Sequence, residues 1–253
     1  MNKIYIVGMG PGFENMMTKQ AIDALEASDV IVGYTVYIKL LGEKFQTKEL
    51  LTTPMRQEKE RCHLCFKKAL EGKTVSLVCS GDAGIYGLAS LMYEIGQEYD
   101  NVELSVIPGI TAANSGAAVL GAPLNHDFCT ISLSDLLTPW ETIERRLRAA
   151  LEADFVCAIY NPRSKGRPHH LEQALEIARQ FRAPHCPVGL VRKAFRPGEE
   201  ARVLRLDQFD PEKVDMLSIL IIGNAESRAL GNFMLTPRGY ARKKTSNLGN
   251  LSK

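Results

Sequence analysis

The sequence predicts an α/β protein of two domains, with a mostly parallel sheet in the first domain and a mixed sheet in the second. Three observations lead to this prediction. Short apolar runs alternate with stretches at helical spacing through the first half of the chain. Glycine-rich loops directly follow several of those apolar runs. In the second half, the turn at 196–200 separates two predicted strands, which indicates an antiparallel hairpin.

The first half, up to residue 121, alternates strands and helices. The predicted strands are the apolar runs at 4–7, 30–32, 74–79 and 102–107. The predicted helices have apolar residues three and four positions apart and lie at 18–28, 57–70, 85–95 and 111–120. Strands alternating with helices in this way are typical of a parallel sheet covered by helices.

The composition changes at 121–125 (GAPLN), so we place the domain boundary there and expect domains at 1–121 and 122–240. The predicted strands of the second domain lie at 129–133, 155–160, 188–191, 201–206 and 218–222. Its predicted helices lie at 140–150 and 170–181. The basic, polar stretch at 241–253 has no periodicity and is predicted to be a disordered tail.

Composition and charge exclude several classes of protein. The 31 Lys and Arg nearly balance the 29 Asp and Glu, which argues against a nucleic-acid partner. No apolar stretch approaches the length of a membrane span, and the opening MNKIYIVGMGPG is typical of a strand and a turn, not of a signal peptide. The 6 cysteines form no disulfide framework, so we expect a cytoplasmic protein.

Three glycine-rich loops follow predicted parallel strands. They lie at 8–12 (GMGPG), 80–87 (SGDAGIYG) and 108–113 (PGITAA). Such loops meet at the carboxyl edge of a parallel sheet, where α/β proteins bind ligands. One loop alone is as often a tight turn, but three at one edge predict a ligand site.

The first loop does not match the dinucleotide fingerprint. Phe13 stands where the third glycine belongs, and Gly33-Tyr34 stands where an acidic residue would hold the ribose. Pro11 also breaks the turn that binds pyrophosphate, and no Gly-Lys-Ser/Thr follows. An NAD enzyme and a P-loop protein are therefore disfavoured.

In this order and at this spacing, the three loops resemble those of the tetrapyrrole (precorrin) methyltransferases. The segment at 126–140 (HDFCTISLSDLLTPW) is similar to one characteristic of the precorrin-3B C(17) branch, which includes cobalt-factor III methyltransferases. The strings at 160–164 (YNPRS) and 236–240 (TPRGY) support the same branch. The resemblance covers about residues 2–240. Ala83 stands where many relatives have proline.

The resemblance implies a two-domain tetrapyrrole-methylase fold with an active-site cleft between the domains. It implies a homodimeric enzyme that methylates ring carbon 17 of a precorrin-3-level tetrapyrrole, with ring contraction, in cobalamin biosynthesis. The cofactor would be S-adenosyl-L-methionine and the product S-adenosyl-L-homocysteine. Two alternatives stay open: methylation at another ring carbon, and a non-catalytic binder of cofactor or tetrapyrrole. Whether the substrate already carries cobalt also stays open.

The resemblance also implies which residues bind the cofactor. The first-domain set is Pro11, Ser80, Gly81, Asp82, Ile85, Tyr86, Thr111 and Ala112. The second-domain set is Tyr160, Asn161, Gly189 and Asn224. Asp82 is the clearest carboxylate, and its alternative role is that of a turn aspartate bonded to its own backbone.

Ring contraction needs proton movement, so an acid or base is expected. The candidate catalytic residues are His126, Asp127 and Asp135, with a capped turn or helix cap as the alternative for each. A precorrin carries many carboxylates, which arginine can bind in bidentate geometry. The candidate substrate-binding residues are Arg56, Ser132, Arg163 and Arg238. Tyr34 and Tyr37 are weaker candidates, because core packing is the commoner fate of tyrosines.

Cys62 and Cys65 form a lone C-x-x-C within a predicted helix. A metal site would need a second pair at ligand spacing, and the other cysteines are isolated. We therefore predict no metal site and ordinary helix packing for both thiols.

Overall fold

The computed structural model describes residues 2–164 and 166–240, and the predicted tail at 241–253 lies outside them. The described chain forms two compact units. Unit 1 contains residues up to 115 together with 195–198, and unit 2 contains 116–194 and the residues from 199 onward. The division therefore falls inside a helix, Ala112–Leu120, a few residues before the composition change at 121. No helix in the described part of the chain has the length and apolarity to cross a membrane.

Unit 1 is built on a five-stranded sheet in which every neighbouring pair is parallel. Its strands are β1 (Asn2–Gly8), β2 (Val30–Tyr34), β3 (Glu49–Thr53), β4 (Val75–Cys79) and β5 (Val102–Ile107), in the order β3-β2-β4-β1-β5. The helices of this part of the chain are α1 (Lys19–Ala27), α2 (Thr35–Ile38), α3 (Glu58–Leu70), α4 (Ala89–Gly96) and α5 (Ala112–Leu120). The parallel sheet predicted from the alternating pattern is confirmed.

Both faces of this sheet are covered. Alternate residues of β1 enter two separate cores: Ile4 and Ile6 pack with Phe66 of α3, and Val7 packs with Leu25 of α1. Burial on both faces explains the continuous apolar runs by which the strands are recognised. It leaves the carboxyl edge, with its loops, as the place where backbone is available to a ligand.

Helix α4 begins four residues later than the sequence predicts. Tyr86 has a left-handed φ of 54°, and a Cβ on Gly87 would overlap the carbonyl oxygen of Ala83. The amide of Ala89 donates instead to that oxygen, at 3.0 Å. The apolar residues Ile85 and Tyr86 therefore belong to the loop after β4 and not to the helix.

Unit 2 has a mixed five-stranded sheet and a small three-stranded one. Its strands are β6 (Gly121–Ala122), β7 (Phe128–Ser132), β8 (Val156–Tyr160), β9 (Pro187–Arg192), β10 (Glu200–Arg205), β11 (Ser218–Ile222), β12 (Arg228–Leu230) and β13 (Phe233–Leu235). The large sheet has the order β10-β9-β11-β8-β7, in which β7 and β8 are parallel and the other pairs antiparallel. The predicted mixed sheet and its β9–β10 hairpin are confirmed, whereas the small sheet β12-β13-β6 is a feature that the sequence did not predict.

Helices α6 (Trp140–Glu152) and α7 (His170–Phe181) pack on the large sheet of unit 2. Arg182, directly after α7, is 7% exposed and ties several segments together. Its guanidinium donates to the carbonyl oxygens of Leu151 (2.8 Å), Phe155 (2.9 Å) and Gly223 (2.9 Å). It also pairs with Asp154 at 3.3 Å. These partners offset the cost of burying the charge.

Candidate active site

The first two glycine loops of unit 1 are joined through their backbones. The amide of Gly10 donates to the carbonyl of Gly81 at 2.9 Å, and the amide of Gly81 donates back to Gly10 at 2.7 Å. Both residues have positive φ, 63° and 70°, which favours glycine. The loops after β1 and β4 therefore form one backbone surface at the carboxyl edge.

The third loop approaches the first two where only glycines stand. A Cβ on Gly109 would overlap the carbonyl oxygen of Gly81 and lie 2.5 Å from that of Gly8. A Cβ on Gly8 would lie 2.6 Å from the amide nitrogen of Gly109. The structure thus brings together all three loops on which the sequence argument rests.

Asp82 holds the second and third loops in place. Its Oδ1 accepts from the amides of Gly84 (2.8 Å) and Ile85 (3.0 Å), and its Oδ2 accepts from the amide of Gly109 (2.9 Å). This is the turn-forming role named as the alternative in the sequence analysis, extended to a second loop. A direct contact of Asp82 with a cofactor stays a prediction.

The other predicted cofactor residues of unit 1 surround this backbone surface. Ile85 and Tyr86 are 40% and 51% exposed, and Pro11 is buried. Thr111 is buried and Ala112 half-buried at the start of α5. The surface therefore combines exposed apolar side chains with convergent backbone groups, which is the mixture that small-molecule pockets use.

Arg196 is a residue of this site that the sequence did not reveal. It lies in the turn between β9 and β10, which reads as an ordinary surface hairpin. Its Nε donates to the carbonyl of Pro11, and its Nη2 lies 3.3 Å from Ser80 Oγ. Burial lowers the pKa of this guanidinium, while Tyr37 has the opposite effect. No local pattern links residue 196 to loops far earlier in the chain.

A cavity of about 210 Å³ lies beside Ser80. Tyr34, Tyr37, Arg61 and Tyr86 are among the residues that line it. Burial raises the pKa of Tyr37, an effect that the nearby Arg196 and Arg61 oppose. Both weaker tyrosine candidates of the sequence analysis thus lie at a cavity.

In unit 2, a second group of predicted residues gathers where β7 and β8 end. Ser132 Oγ accepts from Asn161 Nδ2 at 2.9 Å. Arg167 donates from Nη1 to the carbonyls of Leu133 (2.7 Å) and Asn161 (3.1 Å). Its Nε lies 3.7 Å from Asp135 Oδ1. The structure therefore joins Asn161 and Asp135 through Arg167, and Ser132 through Asn161, while Tyr160, the last residue of β8, is buried.

His170 completes this group, although its position at a helix start suggests a surface residue. Its Nε2 lies 3.5 Å from Asp135 Oδ2, and its ring packs 4.6 Å from that of Trp140. Its Nδ1 is buried and has no hydrogen-bond partner among the described residues. Burial lowers the pKa of the neighbouring Arg167, while Asp135 opposes this effect.

His126 and Asp127 lie elsewhere in unit 2. They precede β7, and the carbonyl of Asp127 accepts from the amide of Val156 at the start of β8. Their side chains are 44% and 82% exposed and approach each other at 3.4 Å. The length of β7, roughly 16 Å at ~3.3 Å per residue, separates them from Ser132. The three candidate catalytic residues are therefore not brought together, and their acid–base roles stay predictions.

Gly189 and Asn224 each have a structural reason for their identity. A Cβ on Gly189 would overlap Leu120 and lie 3.3 Å from Met234 Sδ. Asn224 is buried, and its Oδ1 accepts from the amides of Glu226 and Ser227, both at 3.1 Å. Their cofactor contacts stay predictions.

The three predicted substrate arginines differ in what they contact. Arg56 is exposed after β3 in a left-handed conformation, with φ 68°. Arg163 donates to the carbonyl of Pro211 at 2.9 Å and approaches Glu212 at 3.4 Å. Arg238 is exposed after β13. None of these observations tests their substrate roles, which stay predictions.

Cys62 and Cys65 are both buried in the core beneath α3. Burial raises the pKa of Cys62 to about 12 and holds that of Cys65 well above its usual value. Across 2–164 and 166–240, no three His, Cys, Asp or Glu side chains cluster in a way that could hold a metal ion.

Comparison with known proteins identifies what the chain resembles. The family model described as Tetrapyrrole (Corrin/Porphyrin) Methylases matches residues 3–210. A probable cobalt-factor III C(17)-methyltransferase of Salmonella typhimurium strain LT2 is 47% identical over 236 residues, 93% of this chain and 98% of the relative. A cobalt-factor III methyltransferase of Priestia megaterium is 44% identical over 97% of this chain, which spans about half (46%) of that relative. The crystal structure of the methyltransferase CobJ superposes with a TM-score of 0.89 at 38% identity, covering 94% of this chain and 100% of that one.

Proposed function

Because the chain belongs to the tetrapyrrole (corrin/porphyrin) methylase family, we propose that it methylates a precorrin-3-level tetrapyrrole at ring carbon 17, with ring contraction, in cobalamin biosynthesis. The observation that carries this proposal is the similarity to the Salmonella relative, which spans nearly the full length of both chains. The family inferred from the three loops is thereby confirmed. We further propose cobalt-factor III as the substrate, since the Salmonella and Priestia relatives carry that name.

We propose S-adenosyl-L-methionine as the methyl donor, held at the carboxyl edge of unit 1. The cofactor supplies a methyl group already activated on a sulfonium, so the protein's task is positioning, which is worth roughly 7–11 kcal/mol in well-oriented reactions. The backbones of the three loops approach so closely that side chains at Gly8 or Gly109 would separate them. This leaves backbone groups and the exposed Ile85 and Tyr86 to fix the orientation of the ligand.

The proton transfers of ring contraction call for an acid or base on this chain. We propose Asp135 for this role, because Arg167 and His170 hold its carboxylate at the carboxyl ends of β7 and β8. His126 and Asp127 are the second choice, since their side chains are exposed at the opposite end of β7.

We also propose that the enzyme is a cytoplasmic homodimer. All six cysteines are free thiols, including Cys129 and Cys157, whose sulfur atoms are only 3.6 Å apart. Unbonded thiols at such a distance are expected in a reducing compartment.

Dimerisation rests on the family resemblance, and light scattering of the purified protein tests it. The mass of a single chain would overturn this proposal.

The experiment for the activity uses S-adenosylmethionine labelled with ¹³C in its methyl group. The protein is incubated separately with cobalt-factor III and with metal-free precorrin-3B, and the products are examined by mass spectrometry and NMR. We expect one labelled methyl group on carbon 17, with cobalt-factor III the better substrate. A label on another carbon, or no transfer to either macrocycle, would contradict the proposal. Excess S-adenosylhomocysteine serves as the inhibition control.

A further inference from the structure

One buried and one half-buried arginine of unit 1, Arg61 and Arg196, have no acidic partner among the described residues. Elsewhere, buried or half-buried guanidiniums meet carboxylates: Arg182 pairs with Asp154, and Arg167 with Asp135. Within the described residues, Arg61 and Arg196 have no carboxylate within ion-pair distance. A cation without a carboxylate partner that is already shielded from water attracts an anion strongly, because folding has already removed part of its hydration.

Arg61, in the first turns of α3, is 4% exposed. Its Nε donates to Thr53 Oγ1 at 2.8 Å, and its Nη2 donates to the carbonyl of Pro54 at 3.0 Å. Both partners are neutral groups at the end of β3 and just after it. They fix the guanidinium in the wall of the 210 Å³ cavity, 5.9 Å from the ring centre of Tyr34.

Arg196 approaches the same region from the hairpin turn. It contacts the carbonyl of Pro11 and Ser80 Oγ, and Ser80 also lines the cavity. Tyr37 experiences the charge of both arginines. Arg61, Tyr37 and Ser80 thus line the same cavity, and Arg196 contacts Ser80. Glu58 is the one acidic residue in the cavity wall, and its Oε1 accepts from the amide of Arg56 at 3.2 Å.

We propose that Arg61 and Arg196 form a carboxylate-binding subsite beside the methyl-transfer site. Planar guanidiniums bind carboxylates in bidentate geometry, and the phenol of Tyr37 and the hydroxyl of Ser80 can add hydrogen bonds. A cavity of about 210 Å³ is smaller than the pockets that enclose whole ligands, so it suits one acidic arm of a larger molecule. That arm is a peripheral carboxylate of the tetrapyrrole or the amino-acid carboxylate of the cofactor.

The inference rests on the proposed function for the identity of the ligand, so its test measures binding as well as turnover. Arg61→Gln, Arg61→Lys and Arg196→Gln are compared with wild type. Calorimetry gives the Kd of S-adenosylhomocysteine, and absorbance titration gives the Kd of uroporphyrin, a stable carboxylated macrocycle. The KM of the tetrapyrrole substrate is measured where turnover allows. Arg205→Gln is the matched control, since Arg205 is exposed and pairs with Asp207 at 2.7 Å in unit 2.

We expect each Gln variant to weaken one ligand by roughly 10- to 100-fold, the usual loss for a hydrogen bond to a charged group. Weaker uroporphyrin binding and a raised KM with unchanged S-adenosylhomocysteine affinity would assign the arm to the macrocycle. The reverse pattern would assign it to the cofactor. Arg205→Gln should change neither Kd by more than about threefold.

If all the folded variants bind both ligands as wild type does, the subsite does not exist. Circular dichroism and thermal unfolding show which variants are folded. If Arg61→Gln unfolds, two other variants test the subsite. Arg61→Lys keeps the positive charge but cannot bind a carboxylate in bidentate geometry, and Arg196→Gln removes the second arginine. A wild-type protein that transfers no methyl group would overturn the proposed function, and the two binding titrations would still decide the subsite.

Discussion

Asp82 shows how one carboxylate can hold two loops of a candidate ligand site together. Three backbone amides from two loops donate to it. We expect Asp82→Ala to lower the free energy of unfolding by about 1.5–3 kcal/mol and to weaken S-adenosylhomocysteine binding, because the loops lose their common acceptor. Urea unfolding and calorimetric titration measure the two effects. Asp23→Ala, on the exposed side of α1, is the control. Destabilisation with unchanged affinity would limit Asp82 to a structural role.

The acid–base proposal is also tested at single residues. Asp135→Asn should reduce tetrapyrrole turnover by about 10²–10⁴-fold, the usual contribution of a general acid or base, with little change in S-adenosylhomocysteine affinity. A changed pH profile of the residual activity would separate this from a packing defect. Asp210→Asn, a half-buried N-cap residue elsewhere in unit 2, is the control. Wild-type turnover in Asp135→Asn would contradict the acid–base role of Asp135. His126 and Asp127 would then be the candidates for the general acid or base, tested as His126→Ala and Asp127→Asn.

At the scale of elements, the site depends on how closely three loops can approach. Gly109→Ala places a methyl group against the carbonyls of Gly81 and Gly8, and neither backbone can yield without moving its strand end. We expect it to abolish measurable S-adenosylhomocysteine binding and to lower stability by about 1–3 kcal/mol, the usual cost of overpacking. Gly166→Ala is the matched control, because a Cβ there meets nothing within 4 Å. Equal affinities in the two variants would refute this account of the loops.

The same elements show what the sequence could and could not predict. The three loops were predictable because each has a local signature, a glycine-rich turn after an apolar strand. Strand β3 was missed because it lies at the sheet edge, where Glu49 and Thr52 are exposed and the apolar run is short. Arg196 was missed for a different reason: its partners Pro11 and Ser80 are distant in sequence, and nothing around residue 196 marks the contact. Local sequence patterns thus predicted most strands, helices and glycine loops, whereas contacts between segments that are distant in sequence are visible only in the three-dimensional structure.

At the scale of the whole molecule, buried thiols set a limit on stability in alkali. Burial raises the pKa of Cys79 and Cys186 to about 11 each and that of Cys62 to about 12. In the unfolded chain these thiols ionise near pH ~8.5. Below that pH the three thiols therefore do not change the free energy of unfolding. As the pH rises from there toward their pKa values in the folded protein, the free energy of unfolding falls by up to about 1.4 kcal/mol per thiol for each pH unit.

Urea unfolding at a series of pH values from 7.5 to 10.5 measures this loss, with reductant present throughout. Cys186→Ala should show a shallower decline than wild type, because one ionising group has been removed from the unfolded state. Lysines and tyrosines titrate in the same range, but they are common to both proteins. Parallel curves for the two would show that Cys186 is not protected by the fold.

Arg182 has a consequence for how unit 2 is completed on the ribosome. Its bonds to Leu151 and Phe155 join residues already synthesised, whereas its Nε bond waits for Gly223, 41 positions further on. Gly223 directly follows β11, the strand that lies between β8 and β9 in the finished sheet. Strands β8 and β9 are therefore synthesised first and can pair with β7 and β10, but their facing edges have no partner until β11 is added. We expect the unpaired edges of β8 and β9 to be prone to aggregation until β11 is in place, and the Arg182–Gly223 bond to form only at that step.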